Sequence, residues 1–228
     1  MDGGTRSTWG RAVLGTLASA ILFAAILFSA RGSLDWPMAW AVLAWYVLYA
    51  LAGLALLPRA LIEERSRLPA DAERMDLVLA GLALVFLFPA TLAVCGLDVR
   101  LRASPELPPA LRAGAFTVFV LGYGLALQAA RVNSFFSAVV RIQHERGHHL
   151  VDHGPYAVVR HPGYAGPLFS HVGLPLALGS LWGLVPAFVG GAFLVMRALH
   201  EEQRLARELP GYADYMRRVR FRIVPRVW

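Results

Sequence analysis

Lysine is absent from this chain of 228 residues; all 22 basic side chains other than histidine are arginine. Charge of either sign is sparse. Charged residues make up 16% of the sequence, where a soluble domain carries about a quarter. That shortage argues against an ordinary water-soluble globule. The single cysteine, Cys95, excludes an intrachain disulfide. It lies inside an apolar run and reads as a small buried apolar residue. No G-x-G-x-x-G occurs, so there is no Rossmann fingerprint. Internal repeats and low-complexity tracts are also missing.

Apolar residues are what the chain has instead: 57% of the total, with a mean hydropathy of +0.52. They come in blocks. Arg11–Ala30 has no charge after its first residue, and Trp36–Leu57, Leu77–Leu97 and Ala113–Ala130 have none. Each is close to the roughly 20 residues that a helix needs to cross a bilayer. Cores of soluble proteins show an amphipathic period, not all-round apolarity. These blocks predict four membrane spans. A fifth apolar region, Tyr164–Leu199, has Arg197 as its only charge. It is too long for one span and carries the turn signal Gly179-Ser180-Leu181-Trp182-Gly183. It predicts a hairpin of two short helices of about 15 residues each, half buried against the other helices. The fold class expected is therefore all-α: a polytopic integral membrane helical bundle of six segments.

The first block is longer than the 7–15 apolar residues of a signal peptide's central region and reads as a retained anchor helix. Charge sets orientation. With the N-terminus in the cytoplasm, the cytoplasmic side holds 18 of the 22 arginines. The far side keeps only Arg31, Arg100, Arg102 and Arg112. The positive-inside rule favours this threading, with both termini cytoplasmic. The net charge of +7 then faces anionic lipid. It is not a nucleic-acid surface, because the arginines follow topology and no DNA-reading motif accompanies them.

The loop Pro58–Asp76, with charges of mixed sign, reads as a solvated connection. The loop Asp98–Pro109 has three prolines and reads as non-helical. Composition changes at Arg131, which divides the chain into N-terminal membrane helices (1–130) and a polar-rich C-terminal region (131–228). Val132, Phe135, Phe136, Val139 and Val140 recur at helical spacing. They fit an amphipathic continuation of the fourth span along the interface, or equally a helix end packed on the bundle. After Gly147 and Gly154-Pro155 the run His148–Gly166 is loop-like and rich in His, Tyr and Gly. Irregular backbone in a membrane protein must line a pocket or face water. Function is expected there.

Two readings compete for this region. His144-Glu145-Arg146-Gly147-His148 spells H-E-x-x-H, in which two histidines on one helix face bind zinc and the glutamate is the base. Glu201 or Glu202 can supply a third ligand, which makes a membrane zinc protease one alternative. Against it, Gly147 sits inside the motif and Asp152-His153-Gly154-Pro155 ends any helix soon after it. Zinc also leaves Tyr156, Arg160, His161, Pro162 and Tyr164 without a role. The second reading centres on Gly154-Pro155-Tyr156-Ala157-Val158-Val159-Arg160-His161-Pro162-Gly163-Tyr164-Ala165-Gly166. The apolar hairpin follows, then Arg197-Ala198-Leu199-His200-Glu201-Glu202, then Tyr212, Tyr215 and a basic end.

This order of features, over residues 130–226, resembles the isoprenylcysteine carboxyl methyltransferase family, integral membrane enzymes related to the phospholipid methyltransferases. The resemblance implies methyl transfer from S-adenosylmethionine to a lipophilic acceptor, either a lipidated or a small-molecule carboxylate or amine. The cofactor pocket is then formed by the C-terminal half at the cytoplasmic face. It implies cofactor contacts at His148, His149, Leu150, Val151, Tyr156, His161, Pro162, Gly163, Tyr164, Glu201 and Glu202. It also implies a substrate-side role for Arg197. The residue chemistry agrees. Tyr156 or Tyr164 can offer a ring face to a sulfonium, and Glu201 or Glu202 can accept from an ammonium or a ribose diol. Arg160 or His161 can hold a carboxylate, so Arg197 and Arg160 are the candidate catalytic cations. Adjacent helix positions point about 100° apart, so only one of the two glutamates can face a pocket squarely. Membrane sterol reductases, which use NADPH, carry a similar R-H-P-x-Y loop. They usually have Asn where Gly163 stands here, and they remain a further alternative.

Overall fold

The structure is a computed structural model. It describes residues 3–66 and 72–228, with side chains from Gly10 onward. Arg67 and the side chain of Arg6, both placed on the cytoplasmic side by the charge pattern, lie outside the described residues.

Nine α-helices follow one another without a strand among the described residues. They are α1 (Gly3–Arg31), α2 (Pro37–Leu56), α3 (Arg59–Arg65), α4 (Arg74–Val85), α5 (Thr91–Leu101), α6 (Pro109–Val132), α7 (Pro162–Leu178), α8 (Leu184–Glu208) and α9 (Tyr212–Arg218). A π-helical segment, Phe86–Ala90, joins α4 to α5 into one continuous span. Its cause is Pro89, which cannot donate a backbone hydrogen bond. Thr91 Oγ1 donates to the Phe86 carbonyl at 2.7 Å, so this acceptor is satisfied inside the bundle.

Five helices among the described residues are long and apolar enough to cross a membrane: Gly10–Arg31, Pro37–Leu56, Arg74–Leu101, Pro109–Val132 and Leu184–Glu208. The first four match the charge-free blocks of the sequence. Leu14, Ile21, Leu48, Leu121 and Phe188 point outward, as side chains facing lipid do. Inward, Leu27, Trp36, Val42, Leu92, Phe119 and Leu178 form a core with the fully buried Cys95.

The C-terminal hairpin differs from the expected pair of equal helices. Helix α7 has 17 residues, but α8 has 25 and carries its register past Arg197 and both glutamates. The short α7 lies along α6 at very small separation. A Cβ at Gly166 would come 2.3 Å from the Gly122 carbonyl oxygen, and one at Gly173 would come 2.5 Å from that of Ala115. Glycine is required at this seam because the two backbones touch. The turn between α7 and α8 is locked at the opposite end to the polar loops. Asp98 accepts from Ser104, Ser180 and the Trp182 amide there.

Two other expectations are corrected. Helix α6 stops at Val132 and Asn133 is extended, so Phe135–Val140 form irregular backbone and not an amphipathic helix. The Asn133 side chain causes the break by accepting the Phe135 amide at 2.9 Å. The charged connection 58–76 is not merely solvated. It forms α3, and its last residue, Asp76, is fully buried in the first turn of α4.

Candidate functional site

All the irregular backbone between α6 and α7 gathers at one end of the bundle, over α8 and α9. Salt bridges hold it there. Arg141 reaches Glu64 of α3 at 3.2 Å, and Arg204 reaches Glu73 at 2.9 Å. Arg204 also donates to the Val140 carbonyl at 2.9 Å. The chain end adds a second tie. Arg160 N donates to Phe221 O and His161 N to Arg222 O, at 2.9 and 2.8 Å.

The H-E-x-x-H stretch is not a helix. His144–Arg146 is a single 3-10 turn, and Gly147 ends it with φ +64°. Buried Gln143 organises this turn by donating from its side chain to Phe135 O at 2.7 Å. His144 and His148 therefore do not share a helix face, and Glu145 pairs with Arg141. The geometry that makes this motif a zinc site is absent. His148 Nδ1 instead accepts the Gln143 amide at 3.2 Å, and its ring stacks on Phe135 at 4.4 Å. Burial, aided by His149, His144 and neighbouring arginines, lowers its pKa to about 4. His148 is thus a neutral Nε2–H donor at neutral pH.

A cavity of about 420 Å³ opens between these loops and the bundle. Of the residues named from sequence, His148, His149, Leu150, Val151, Tyr156, Arg160, His161, Gly163, Tyr164, Arg197 and Glu201 line it. Pro162 and Glu202 do not. Pro162 is buried at the first position of α7, where a fixed φ and a missing N–H cost nothing. Gly163 makes room for Phe136, whose ring a Cβ would approach within 2.3 Å.

The two glutamates have separated duties. Glu202 is 4% exposed and is the centre of a buried charge cluster. It accepts from Arg160 Nε at 2.7 Å and Arg222 Nε at 2.8 Å, with His161 Nε2 at 3.3 Å. Arg160 also donates to the carbonyls of Val219 and Arg220. Its Nε and Nη1 are therefore spent on bracing the C-terminal segment, which is a different task from the carboxylate-holding one expected of it. Glu201 faces the cavity. Tyr164 Oη donates to its Oε2 at 2.6 Å, and its other oxygen has no hydrogen-bond partner among the described residues.

Arg197 is oriented by a residue the sequence reading passed over. Asp76 takes its Nε at 2.7 Å and Nη2 at 3.2 Å, and Asp76 also accepts the Val140 amide at 2.9 Å. Nη2 donates to Ala138 O at 2.7 Å, which leaves Nη1 without a hydrogen-bond partner among the described residues. The guanidinium lies over the Tyr164 ring at 5.8 Å, so one cation already occupies the neighbourhood of that ring. The only sequence signal for Asp76 was an acidic residue at the start of an apolar run.

Two more polar groups, Tyr212 and Asn133, had no role assigned from the sequence. Tyr212 Oη is buried, lines the cavity and has no hydrogen-bond partner among the described residues. Burial, with Glu201 and Glu202 nearby, raises its pKa, so it stays a neutral donor. Asn133 Nδ2 donates to Tyr156 Oη at 3.3 Å, which leaves the Tyr156 proton free for a ligand. Deeper in, the walls become Ala80, Ala83, Leu87, Phe88, Ala126 and Leu194. The cavity thus runs from polar groups at the bundle's end into the apolar interior.

Fold and site define a class: a polytopic helical membrane protein with an amphipathic small-molecule cavity at one end. Comparison with known proteins narrows it. Residues 111–210 match the phospholipid methyltransferase family model. Two rice proteins, from Oryza sativa subsp. indica and Oryza sativa subsp. japonica, are each named probable protein-S-isoprenylcysteine O-methyltransferase. Each is 46% identical over 84 residues, or 35% of this chain and 44% of the relative. Over these stretches the chain is similar to phospholipid methyltransferases and to the two rice proteins. The chain spans less than half the length of these relatives.

Proposed function

We propose that this protein is a methyltransferase that uses S-adenosylmethionine to methylate a lipophilic acceptor at the membrane interface, most simply as a carboxyl O-methyltransferase. The observation that carries the reading is the single cavity joining Glu201, Tyr212 and Arg197 to an apolar shaft between α4, α6, α7 and α8. Its volume of about 420 Å³ lies within the roughly 300–1,000 Å³ of small-molecule sites.

The residues suit the cofactor. The open oxygen of Glu201 can accept from an ammonium or a ribose hydroxyl. Tyr212 and Tyr156 supply uncommitted hydroxyl protons, and His148 supplies a neutral N–H. When bound, S-adenosylmethionine supplies an electrophilic methyl group on a cationic sulfur. Arg197 lines the same cavity and its guanidinium suits an acceptor carboxylate; Asp76 keeps that fork in one orientation. A carboxylate is already deprotonated at neutral pH, so the acceptor needs no general base. The protein's tasks are to align the acceptor and exclude water. The same walls admit a chain from the bilayer to the polar end. The six-segment threading that puts 18 of the 22 arginines on one side supports a cytoplasmic position for this end and both termini.

Calorimetry with S-adenosylhomocysteine on protein in nanodiscs tests the reading. Wild type binds, and Glu201→Gln weakens binding by one to two decades, the effect of about 2–3 kcal/mol lost with a charge-assisted hydrogen bond. Absence of wild-type binding, or equal binding by Glu201→Gln, overturns it.

A further inference from the structure

The deep part of the cavity is not uniformly apolar. His171 lies seven residues beyond Tyr164 on α7, which is two turns, or about 10 Å along the same face. It lines the cavity and is 2% exposed. Its Nδ1 is 2.9 Å from the Pro167 carbonyl, which can only accept, so Nδ1 carries the proton and Nε2 the lone pair. Tyr123 Oη stands 3.4 Å from that Nε2, a long contact. Tyr49 tilts against Tyr123 with ring centroids 4.9 Å apart. Its hydroxyl makes no hydrogen bond among the described residues. Beyond these rings lies a second cavity of about 110 Å³ that shares Tyr49, Phe88 and Tyr123 as walls. Its other walls include Leu27, Val42, Leu92 and Leu174.

Polar groups at this depth are costly unless paired. Here two phenols and an imidazole pair weakly with one another and border open space. A plain hydrocarbon chain threading past them leaves that capacity unused. A hydroxyl uses it in both directions: Tyr49 can donate to its oxygen, and Tyr123 or His171 Nε2 can accept its proton. A carbonyl uses only the first.

Building on the acceptor reading above, we propose that Tyr49, Tyr123 and His171 form a specificity site for a chain hydroxyl about 10 Å from the acceptor's reacting head. The apolar end of the chain continues into the second cavity. The preferred acceptor is thus a mid-chain hydroxylated amphiphile. Its substrate must come from a reaction that hydroxylates or hydrates a lipid chain.

Competition binding in nanodiscs tests this, with octadecanoate, 10-hydroxyoctadecanoate and 3-hydroxyoctadecanoate displacing a fluorescent fatty acid. Ten ångströms is roughly eight to nine carbon–carbon bonds of extended chain, which from the carboxyl carbon reaches about C9 or C10 and selects the 10-position among these probes. The 10-hydroxy chain should bind about tenfold tighter than octadecanoate, and the 3-hydroxy chain should not. The ratio should fall to about one in Tyr49→Phe, which removes the donor, and in the double variant Tyr123→Phe/His171→Phe, which removes both acceptors. Equal binding of the 10-hydroxy and plain chains by wild type, or a preference retained in both variants, overturns the proposal. S-adenosylhomocysteine binding on the same samples separates the two readings. Cofactor binding without hydroxyl preference removes the chain site alone. Hydroxyl preference without cofactor binding removes methyl transfer and leaves a lipid site.

Discussion

The membrane bundle and the polar cap at its end are held together by different forces. In the bundle, α6 and α7 meet through glycines, and the core is aromatic and aliphatic with few side-chain hydrogen bonds. In the cap, residues 133–161 have little regular structure, and charges hold them: Asp76 with Arg197, Glu64 with Arg141, Glu73 with Arg204, and Glu202 with Arg160 and Arg222. The difference follows from the backbone. A helix satisfies its own carbonyls and amides, so the spans need only pack. Irregular backbone has carbonyls to spare, and arginine supplies several donors on one rigid plane. Arg160, Arg197 and Arg204 each bind a carboxylate and at least one loop carbonyl. The absence of lysine suits this design.

Neutralising Glu202 should break the cap most severely. Glu202→Gln leaves Arg160 without its charge partner in a buried place and should cost about 3–5 kcal/mol of stability. Thermal unfolding in nanodiscs reads this loss. Glu201→Gln, one residue away, should unfold near the wild-type temperature while losing cofactor affinity. Similar melting of both variants would erase the distinction between brace and binding group.

Asp76→Asn attacks the joint where bundle meets cap. Arg197 keeps the Ala138 carbonyl but loses a bidentate anion, so about 3 kcal/mol is expected. S-adenosylhomocysteine binding should survive under conditions where the variant is folded, whereas methyl transfer to a carboxylate should fall at least tenfold. Loss of cofactor binding in the folded variant would place Asp76 and Arg197 on the cofactor side.

On the bundle side, Gly166→Ala places a methyl 2.3 Å from the Gly122 oxygen and 2.9 Å from the Ala126 nitrogen. Backbone atoms cannot swing aside, so a cost of about 1–3 kcal/mol is expected by thermal unfolding. Salt should leave this loss unchanged, because the contact is steric. A loss that salt alters strongly would show that charge also governs the seam.

The smallest effect concerns pH. His148 has a pKa lowered to about 4, whereas the unfolded chain titrates near 6.5. Between these values the unfolded state binds more protons, so stability rises with pH. The contribution is complete above about 6.5 and is lost progressively as pH falls towards about 4. His148→Gln should flatten that part of the stability–pH curve. An unchanged slope would mean that His148 is not held neutral.

Much of the bundle was legible because membrane helices are a one-dimensional signal. The blocks Trp36–Leu57 and Ala113–Ala130 correspond to α2 and α6 to within a few residues. The cap was less legible. Phe135, Phe136, Val139 and Val140 have helical spacing but form irregular backbone, because Asn133 captures a nearby amide and Gln143 captures Phe135 O. The cavity could be located through the motif around Arg160-His161-Pro162, yet its residues divide in ways the motif does not reveal. His161 lines the cavity while touching Glu202, and Arg160 braces the chain end.

By itself, the sequence determined that this chain is a helical membrane protein and where its long apolar helices fall. These depend on composition within each segment, because every span closes its own backbone hydrogen bonds. Only the tertiary structure decided that Glu201 opens to the cavity while Glu202 is sealed, that Asp76 holds Arg197 across 121 residues of sequence, and that Tyr49, Tyr123 and His171 meet at depth. Those facts depend on the rotation of α8 about its axis and on the close contact of α6 with α7. Both are set by side-chain packing between helices far apart in the chain, which no local pattern records.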